Sequence, residues 1–526
     1  MTDQGPTISE NSTTTEPKTF DDILETKLGF GRYQYLLYAF VGLAFSAEAA
    51  FIFCFSLVIP IIKNEWNLSE NLVSSLGSSI FMGIFMGSVS AGSVTDKLGR
   101  KTSLILSCVI QILLGVTVRF IYNFEAFFAL RVGFGFLIGF TLPLCLSMLS
   151  EITTIALRGK ALIFCNVFFT CGRLYVIMAA FITLDDLQSG DWRGTVLYCC
   201  TLPLIALIGT LIYVYESPRF EIAFGRMEKG VDIIKKIGIM NKGTKFTDID
   251  EQDQRDLKSW QEKNFTTTEK VSPKSLFGSG YRAITLNLWM MWLSVAFCSY
   301  GLNFILPFVL EDLGETQGTG FNPESGTGTD TPSQPQGDRN NFWRLAAPNF
   351  IELPTILVGI LIIEVKIFGR KNTLILCFAL AFVCFLLSMI LPAGSMIYFV
   401  SAARFFISLA FGVIYPFSAE VYSTKYRTVG IGMASAVGRL GTVLMPWITI
   451  HLRELATRAP FGFFALLSLL SAICGLTLPY DTTGQPLDAV ANQKQSVHVE
   501  LQDEIGSHDQ GEERTKKSFE EYVENQ

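Results

Sequence analysis

Gly92-Ser93-Val94-Thr95-Asp96-Lys97-Leu98-Gly99-Arg100-Lys101 closes one long apolar stretch, and Gly369-Arg370-Lys371 closes another. Glu151 stands seven residues before Arg158-Gly159, and Glu420 stands seven before Arg427. The two Gly-Arg-Lys signatures are 270 positions apart (99 to 369), and the two Glu residues are 269 apart (151 to 420). Charged signatures that recur at matching joints of two apolar halves mark an internally duplicated membrane protein. This is the usual architecture of a transporter whose site lies between its halves.

Composition agrees. Half of the 526 residues are hydrophobic and the mean hydropathy is positive. A bilayer-crossing helix needs roughly 20 apolar residues, and about twelve segments qualify: 35–62, 71–94, 103–122, 126–149, 161–183, 195–215, 282–310, 343–365, 372–392, 396–418, 429–451 and 459–479, numbered here as spans 1 to 12. Strands of a membrane barrel would be about 10 residues long and alternate strictly, a pattern these segments lack. The expectation is an all-α membrane protein with twelve transmembrane helices in two six-helix pseudo-symmetric halves.

The remaining segments divide the chain. Residues 1–34 form a polar, disordered N-terminal tail, 35–215 the first half, 216–281 a charged linker, 282–480 the second half with an exterior loop at 312–342, and 481–526 an acidic tail. Within the linker, Met227 to Ile239 reads as a surface helix. Lys97, Arg100, Lys101, Arg158, Lys160, Arg370, Lys371, Lys425 and Arg427 all fall in loops on one side. Their excess places those loops, the linker and both termini in the cytosol. All eleven cysteines lie inside predicted spans, where they act as small buried hydrophobes and not as a disulfide framework. A phosphate loop, a nucleophile triad and metal-ligand spacing are absent from the sequence. An enzyme, a cofactor and a nucleic-acid partner are therefore not expected; the lipid bilayer is the expected surroundings.

In the first signature, Asp96 can accept hydrogen bonds at a helix end, Arg100 can pair with carboxylates at neighbouring helix ends, and Gly99 permits a tight turn. Such charges at the interface of two rigid halves form a latch with two states. Together with Arg131-Val132-Gly133-Phe134-Gly135, Glu216-Ser217-Pro218-Arg219-Phe220 and Leu478-Pro479-Tyr480-Asp481, the signature resembles the major facilitator superfamily over about residues 30–485. Trp66, Asp191-Trp192-Arg193, Ile351-Glu352-Leu353-Pro354 and Gly438-Arg439-Leu440-Gly441 resemble its synaptic-vesicle-2-related branch, which is similar to organic ion transporters and aromatic-acid:proton symporters. The resemblance implies gating roles for Asp96, Arg100, Glu151, Arg158, Arg370, Glu420 and Arg427. Arg131 and Arg404 resemble the family's span-4 arginine and its repeat, and read as groups that orient the acids. In the second half Lys366 stands where Asp96 is expected and Ile367 where Lys97 is, so the repeat of the latch is degenerate.

Ionisable side chains near mid-bilayer cost on the order of 2.5–3.5 kcal/mol each and mark pathways. Glu48, Arg173, Glu352 and Arg439 lie near the centres of spans 1, 5, 8 and 11; two acids and two bases could cancel in one cavity. In the resembled organic ion transporters, anion-handling members carry an arginine in the part of span 11 where Arg439 lies, which implies an anionic substrate. A guanidinium can grip a carboxylate with two parallel hydrogen bonds. Gly172-Arg173-Leu174 echoes Gly438-Arg439-Leu440, so Arg173 is expected to face the same cavity, unless Glu352 holds one of the two arginines. Glu48 stands among Ala and Phe, desolvated, which suits a residue that carries a proton. Glu352 is its rival, and Pro354 should loosen span 8 beside it. Tyr300, Asn303, Trp292 and Tyr415 are candidate cavity walls. The leading expectation is a secondary transporter, a monomer able to work alone, that moves a small organic anion, a carboxylate with or without an aromatic ring, together with a proton. The alternatives are an uncoupled facilitator or exchanger on the same fold, and a vesicle-membrane protein that binds partners without transporting.

Overall fold

The structure, a computed structural model, describes residues 19–265, 276–277, 281–318, 340–362, 369–422 and 424–478. Glu364, Lys366, Ile367, most of loop 312–342 and the tail 481–526 lie outside the described residues. The side chain of Arg427 does too, although its backbone belongs to the helix Thr424–Leu455.

Among the described residues, twelve helices are long and apolar enough to cross a membrane: Arg32–Trp66, Glu70–Leu98, Arg100–Phe120, Phe124–Ile152, Ile163–Thr183, Trp192–Tyr213, Arg282–Leu310, Phe342–Ile362, Arg370–Ile390, Ser395–Val421, Val429–Leu455 and Ala459–Leu476. They coincide with the twelve expected spans and keep the same numbers. The duplication seen in the motifs reappears in the packing. Span 1 lies on span 5, 2 on 4 and 3 on 6, while span 7 lies on 11, 8 on 10 and 9 on 12.

Small residues set the closest of these contacts. A Cβ at Gly135 or Gly139 would run into the carbonyls of Ile80 and Ile84, and one at Gly83 or Gly87 would run into those of Val132 and Phe136. Spans 2 and 4 therefore meet backbone to backbone through two Gly-x-x-x-Gly pairs, the arrangement that drives helix association where lipid removes the hydrophobic term.

Across the halves, span 2 packs on span 11 and span 5 on span 8. The Ser78 hydroxyl donates to the Val443 carbonyl at 2.7 Å, His451 and Asn71 are 3.2 Å apart, and the rings of Phe181 and Phe342 meet at 6.0 Å. These joins between described side chains all lie on the side away from Gly99 and Gly369, the side opposite the basic loops.

Two segments depart from the sequence reading. The helix that begins at Arg282 continues to Gly318, past the expected end of span 7 at 310. Residues 19–34, read from their polarity as disordered, are ordered. Thr19 caps a short helix: its hydroxyl accepts from the Asp22 amide, and the Asp22 carboxylate accepts from the Thr19 amide at 2.8 Å, a reciprocal capping box. Phe20, Ile23, Leu24 and Leu28 are then buried in one cluster with Ile222, Ile234, Ile237 and Leu257 of the linker. The linker supplies helices Pro218–Ala223, Met227–Lys242 and Glu251–Phe265. Four apolar residues among many polar ones carry no obvious signal in the chain, and they find a core only because the linker helices offer one. Leu24→Ala is expected to cost about 2–5 kcal/mol locally and to speed amide hydrogen exchange over 19–31. Unchanged protection there would show that the segment is held by something other than this core.

Candidate functional site

Span 8 is broken. Its first helix ends at Phe350, Ile351 forms a turn, and a second helix starts at Glu352. Pro354 lacks the N–H that would bond four residues back to Phe350, and its ring crowds that carbonyl. The break presents Glu352 at a helix start in the middle of the molecule. Oε2 of Glu352 accepts from Nε and Nη2 of Arg404 on span 10, each at 3.1 Å, and from Nη2 of Arg173 on span 5. The Arg173–Glu352 pair joins residues 179 positions apart and ties the first half to the second. All three side chains are buried. Arg404 also donates to the Ser299 carbonyl at 2.7 Å, and Arg173 lies over the ring of Phe169.

Arg439 is different. Among the described residues its guanidinium has no hydrogen-bond or ion-pair partner, and its charge acts on the nearby Tyr300 and Tyr415. Tyr300 lies within electrostatic reach of Arg173, Arg404, Arg439 and Glu352. Its ring meets Phe81 of the first half at 5.5 Å. Asn303, one turn on, is buried, and its amide is unpaired among the described residues. Trp292 stands against Tyr415 at 4.6 Å and donates to Ser418. A Cβ at Gly438 would come within 3.0 Å of the Trp292 carbonyl, so this glycine lets span 11 approach span 7 beside Arg439.

The four midplane charges do not gather in one cluster as the sequence suggested. Glu48 faces spans 3 and 4, where Gln111 donates to its Oε1 at 2.8 Å beside the paired hydroxyls of Ser107 and Thr141. Its Oε2 is buried with no hydrogen-bond partner among the described residues. The reason is the helix turn: Ser46, two residues earlier, packs on Phe168 and Gly172 of span 5, so Glu48 points elsewhere.

Arg131 also departs from expectation. It meets no acid among the described residues, donating instead to the Phe55 carbonyl at 2.9 Å and the Ser79 hydroxyl at 3.2 Å. The repeat explains this. Arg404 bridges a span-7 carbonyl and a span-8 side chain, and Arg131 likewise bridges a span-1 carbonyl and a span-2 side chain. The duplicated frame is the same, with Ser79 where the second half has Glu352. Gln111 and Ser79 were not singled out in the sequence, since a polar residue in an apolar span carries no signature of its partner.

At the basic loops the charged signatures form a cluster within each half. Arg100 pairs with Asp96 at 2.8 Å and Glu151 at 3.4 Å, over the ring of Phe220. Gly99 turns there with a φ of 91°, open to glycine, and Glu216 accepts from the amides of Arg100 and Lys101. Arg158 does not meet Glu151; it pairs with Asp21 of the N-terminal segment at 2.6 Å. In the second half Arg370 pairs with Glu420 at 2.8 Å.

A family profile described as sugar (and other) transporter matches residues 30–318, more than half of the chain, and one described as major facilitator superfamily matches residues 353–513. The chain belongs to the major facilitator superfamily. Among relatives of this transporter, a synaptic vesicle 2-related protein of Pongo abelii is 27% identical, over 94% of this chain and 86% of its own length. An organic cation/carnitine transporter 7 of Arabidopsis thaliana is 26% identical, over 91% of this chain and 97% of its own. A structure of the xylose transporter XylE from E. coli matches with a TM-score of 0.67 at 16% identity, covering 86% of this chain and 100% of that one. The major facilitator fold is thus shared, and the protein is a multi-pass membrane transporter and not an enzyme.

The ion triad yields a stability prediction. Glu352→Gln removes the one carboxylate that two buried guanidinium groups share, and a broken buried pair costs about 3–5 kcal/mol. The thermal unfolding temperature in detergent should fall clearly, and adding Arg173→Gln should recover part of it. Additive losses in the double variant would mean that the two residues are not coupled.

Proposed function

We propose that the protein moves a small organic anion across its membrane together with a proton, by alternating access between its two halves. The observation that carries this reading is Arg439: a cation near the middle of span 11 with no hydrogen-bond or ion-pair partner among the described residues, close enough to act on Tyr300 and Tyr415. A charge at the depth of the bilayer midplane without a counter-ion is expensive, and a substrate carboxylate would supply the counter-ion to this half-buried guanidinium through two parallel hydrogen bonds. Tyr300, Tyr415 and Trp292 offer apolar walls beside it, which suit an aromatic acid. The relatives' names point to different cargoes (organic cations and carnitine for one, xylose for another), so the charge of this chain's own site is the better guide.

In this reading Glu48 carries the proton. Glu352, engaged by two arginines, ties the halves and sets the geometry of Arg173 and Arg404. An uncompensated buried carboxyl such as Glu48 is tolerated as the neutral acid and costly as the anion, so its protonation can favour one arrangement of the spans over another. The excess of basic residues assigns the loops at Gly99 and Gly369, both termini and segment 216–281 to the cytosol. With the Ser78–Val443, Asn71–His451 and Phe181–Phe342 joins on the far side, the arrangement reads as the state open toward the cytosol, with the latch clusters parted into their own halves. Both halves of the site come from one chain, so a monomer suffices.

Uptake of labelled organic anions and cations into proteoliposomes, with and without an inward proton gradient, tests the proposal. Gradient-driven uptake of anions is expected. Uptake indifferent to the gradient would leave a facilitator or exchanger, and uptake of cations alone would remove the anion reading.

A further inference from the structure

The midplane carries more positive charge than one carboxylate can balance. Arg173, Arg404 and Arg439 contribute three guanidinium charges and Glu352 one negative charge, a formal excess of two. Glu48 does not reduce it, because its carboxyl faces Gln111 in the first half. The excess is also distributed. Both Nε and Nη2 of Arg404 are used on Glu352, and its Nη1 is used on the Ser299 carbonyl. Arg173 spends Nη2 on Glu352 and Thr170, but its Nε is buried with no hydrogen-bond partner among the described residues. The guanidinium of Arg439, which is only partly buried, has no hydrogen-bond or ion-pair partner among the described residues. Two sets of unused donors thus remain, one from each half, both within electrostatic reach of Tyr300.

We propose that the substrate is a dianion, a dicarboxylate with one carboxylate held by Arg439 and the other by the nitrogens of Arg173 that Glu352 does not use. This rests on the anion reading above and specifies its charge. A monocarboxylate would leave one positive charge and one buried donor uncompensated, and unpaired buried charge opposes binding. A dicarboxylate neutralises the site and reaches from span 11 to span 5. It engages Arg173 on a nitrogen that Glu352 does not use, so binding joins the halves through the substrate as well as through Glu352.

The test is competition between labelled succinate and phthalate as dicarboxylates and labelled benzoate as a monocarboxylate, measured by counterflow in proteoliposomes of the full chain. The wild type is expected to prefer the dicarboxylates by about tenfold or more. Arg173→Gln lowers the formal excess to one, and the preference should invert toward benzoate; Arg173→Lys, which keeps the charge, should keep it. The readout is a ratio within each variant, so a smaller folded fraction does not alter it. Should Arg173→Gln fail to insert, the wild-type ratio decides alone. A wild type that prefers benzoate, or an Arg173→Gln ratio equal to that of the wild type, would overturn the dianion while leaving the anion reading in place. Uptake of none of the three with uptake of a cation such as tetraethylammonium would overturn both.

Discussion

Arg439→Gln is expected to abolish anion uptake while leaving the protein folded. The two halves of that statement have different causes. Arg439 has no hydrogen-bond or ion-pair partner among the described residues, so its removal strands no other charge and opens no buried pair. Its thermal unfolding temperature should therefore stay close to that of the wild type, in contrast to Glu352→Gln. A substrate carboxylate, however, would lose its counter-ion. Removing one side of such a pair costs about 2–5 kcal/mol, which is on the order of thirtyfold to several-thousandfold in affinity. Arg439→Lys keeps the charge but loses the planar fork, so it should retain part of the uptake with a raised KM. Initial uptake rates at several substrate concentrations, beside thermal melts of the same preparations, separate these cases. Normal uptake by a folded Arg439→Gln would remove the substrate-binding role.

Glu48→Gln should uncouple transport from the proton gradient without stopping it. The amide has the shape of the neutral acid, and its carbonyl oxygen can still accept from Gln111. It can carry no proton. Counterflow, which exchanges labelled for unlabelled substrate and needs no net proton movement, should persist to within a fewfold, while accumulation above equilibrium under an inward gradient disappears. If Glu48→Gln still accumulates substrate under the gradient, the proton travels elsewhere, and Glu352 becomes the remaining midplane acid. Glu352→Gln separates the candidates, because its expected defect is in stability and in the tie between halves.

Much of the architecture was legible in the chain. Twelve apolar segments, basic residues at alternate loops and motifs recurring some 270 positions apart already implied a duplicated twelve-helix protein. Each of these is a local property: span length follows from bilayer thickness, and loop charge from the cost of moving cations across it. That Glu48, Arg173, Glu352 and Arg439 need a reason to lie in their spans was legible on the same ground, since an ionisable side chain in an apolar span is costly wherever it points.

Their partners were not legible. Whether Arg173 meets Glu352 or a substrate depends on the rotation of span 5 relative to span 8, which the packing of all twelve helices decides. That packing turned Glu48 away from the central cluster, gave Arg131 the Ser79 hydroxyl in place of an acid, and left Arg439 open. The N-terminal segment is a further case: Phe20, Ile23, Leu24 and Leu28 are too few to announce an element, and a core supplied by residues some 200 positions later orders them. The sequence by itself determined the number of spans, their duplication and which charges needed a reason to be buried, because hydrophobic length and the cost of burying charge act along the chain. Only the tertiary structure decided which of those charges pair and which stay available, because pairing acts between helices and is settled by how their surfaces fit.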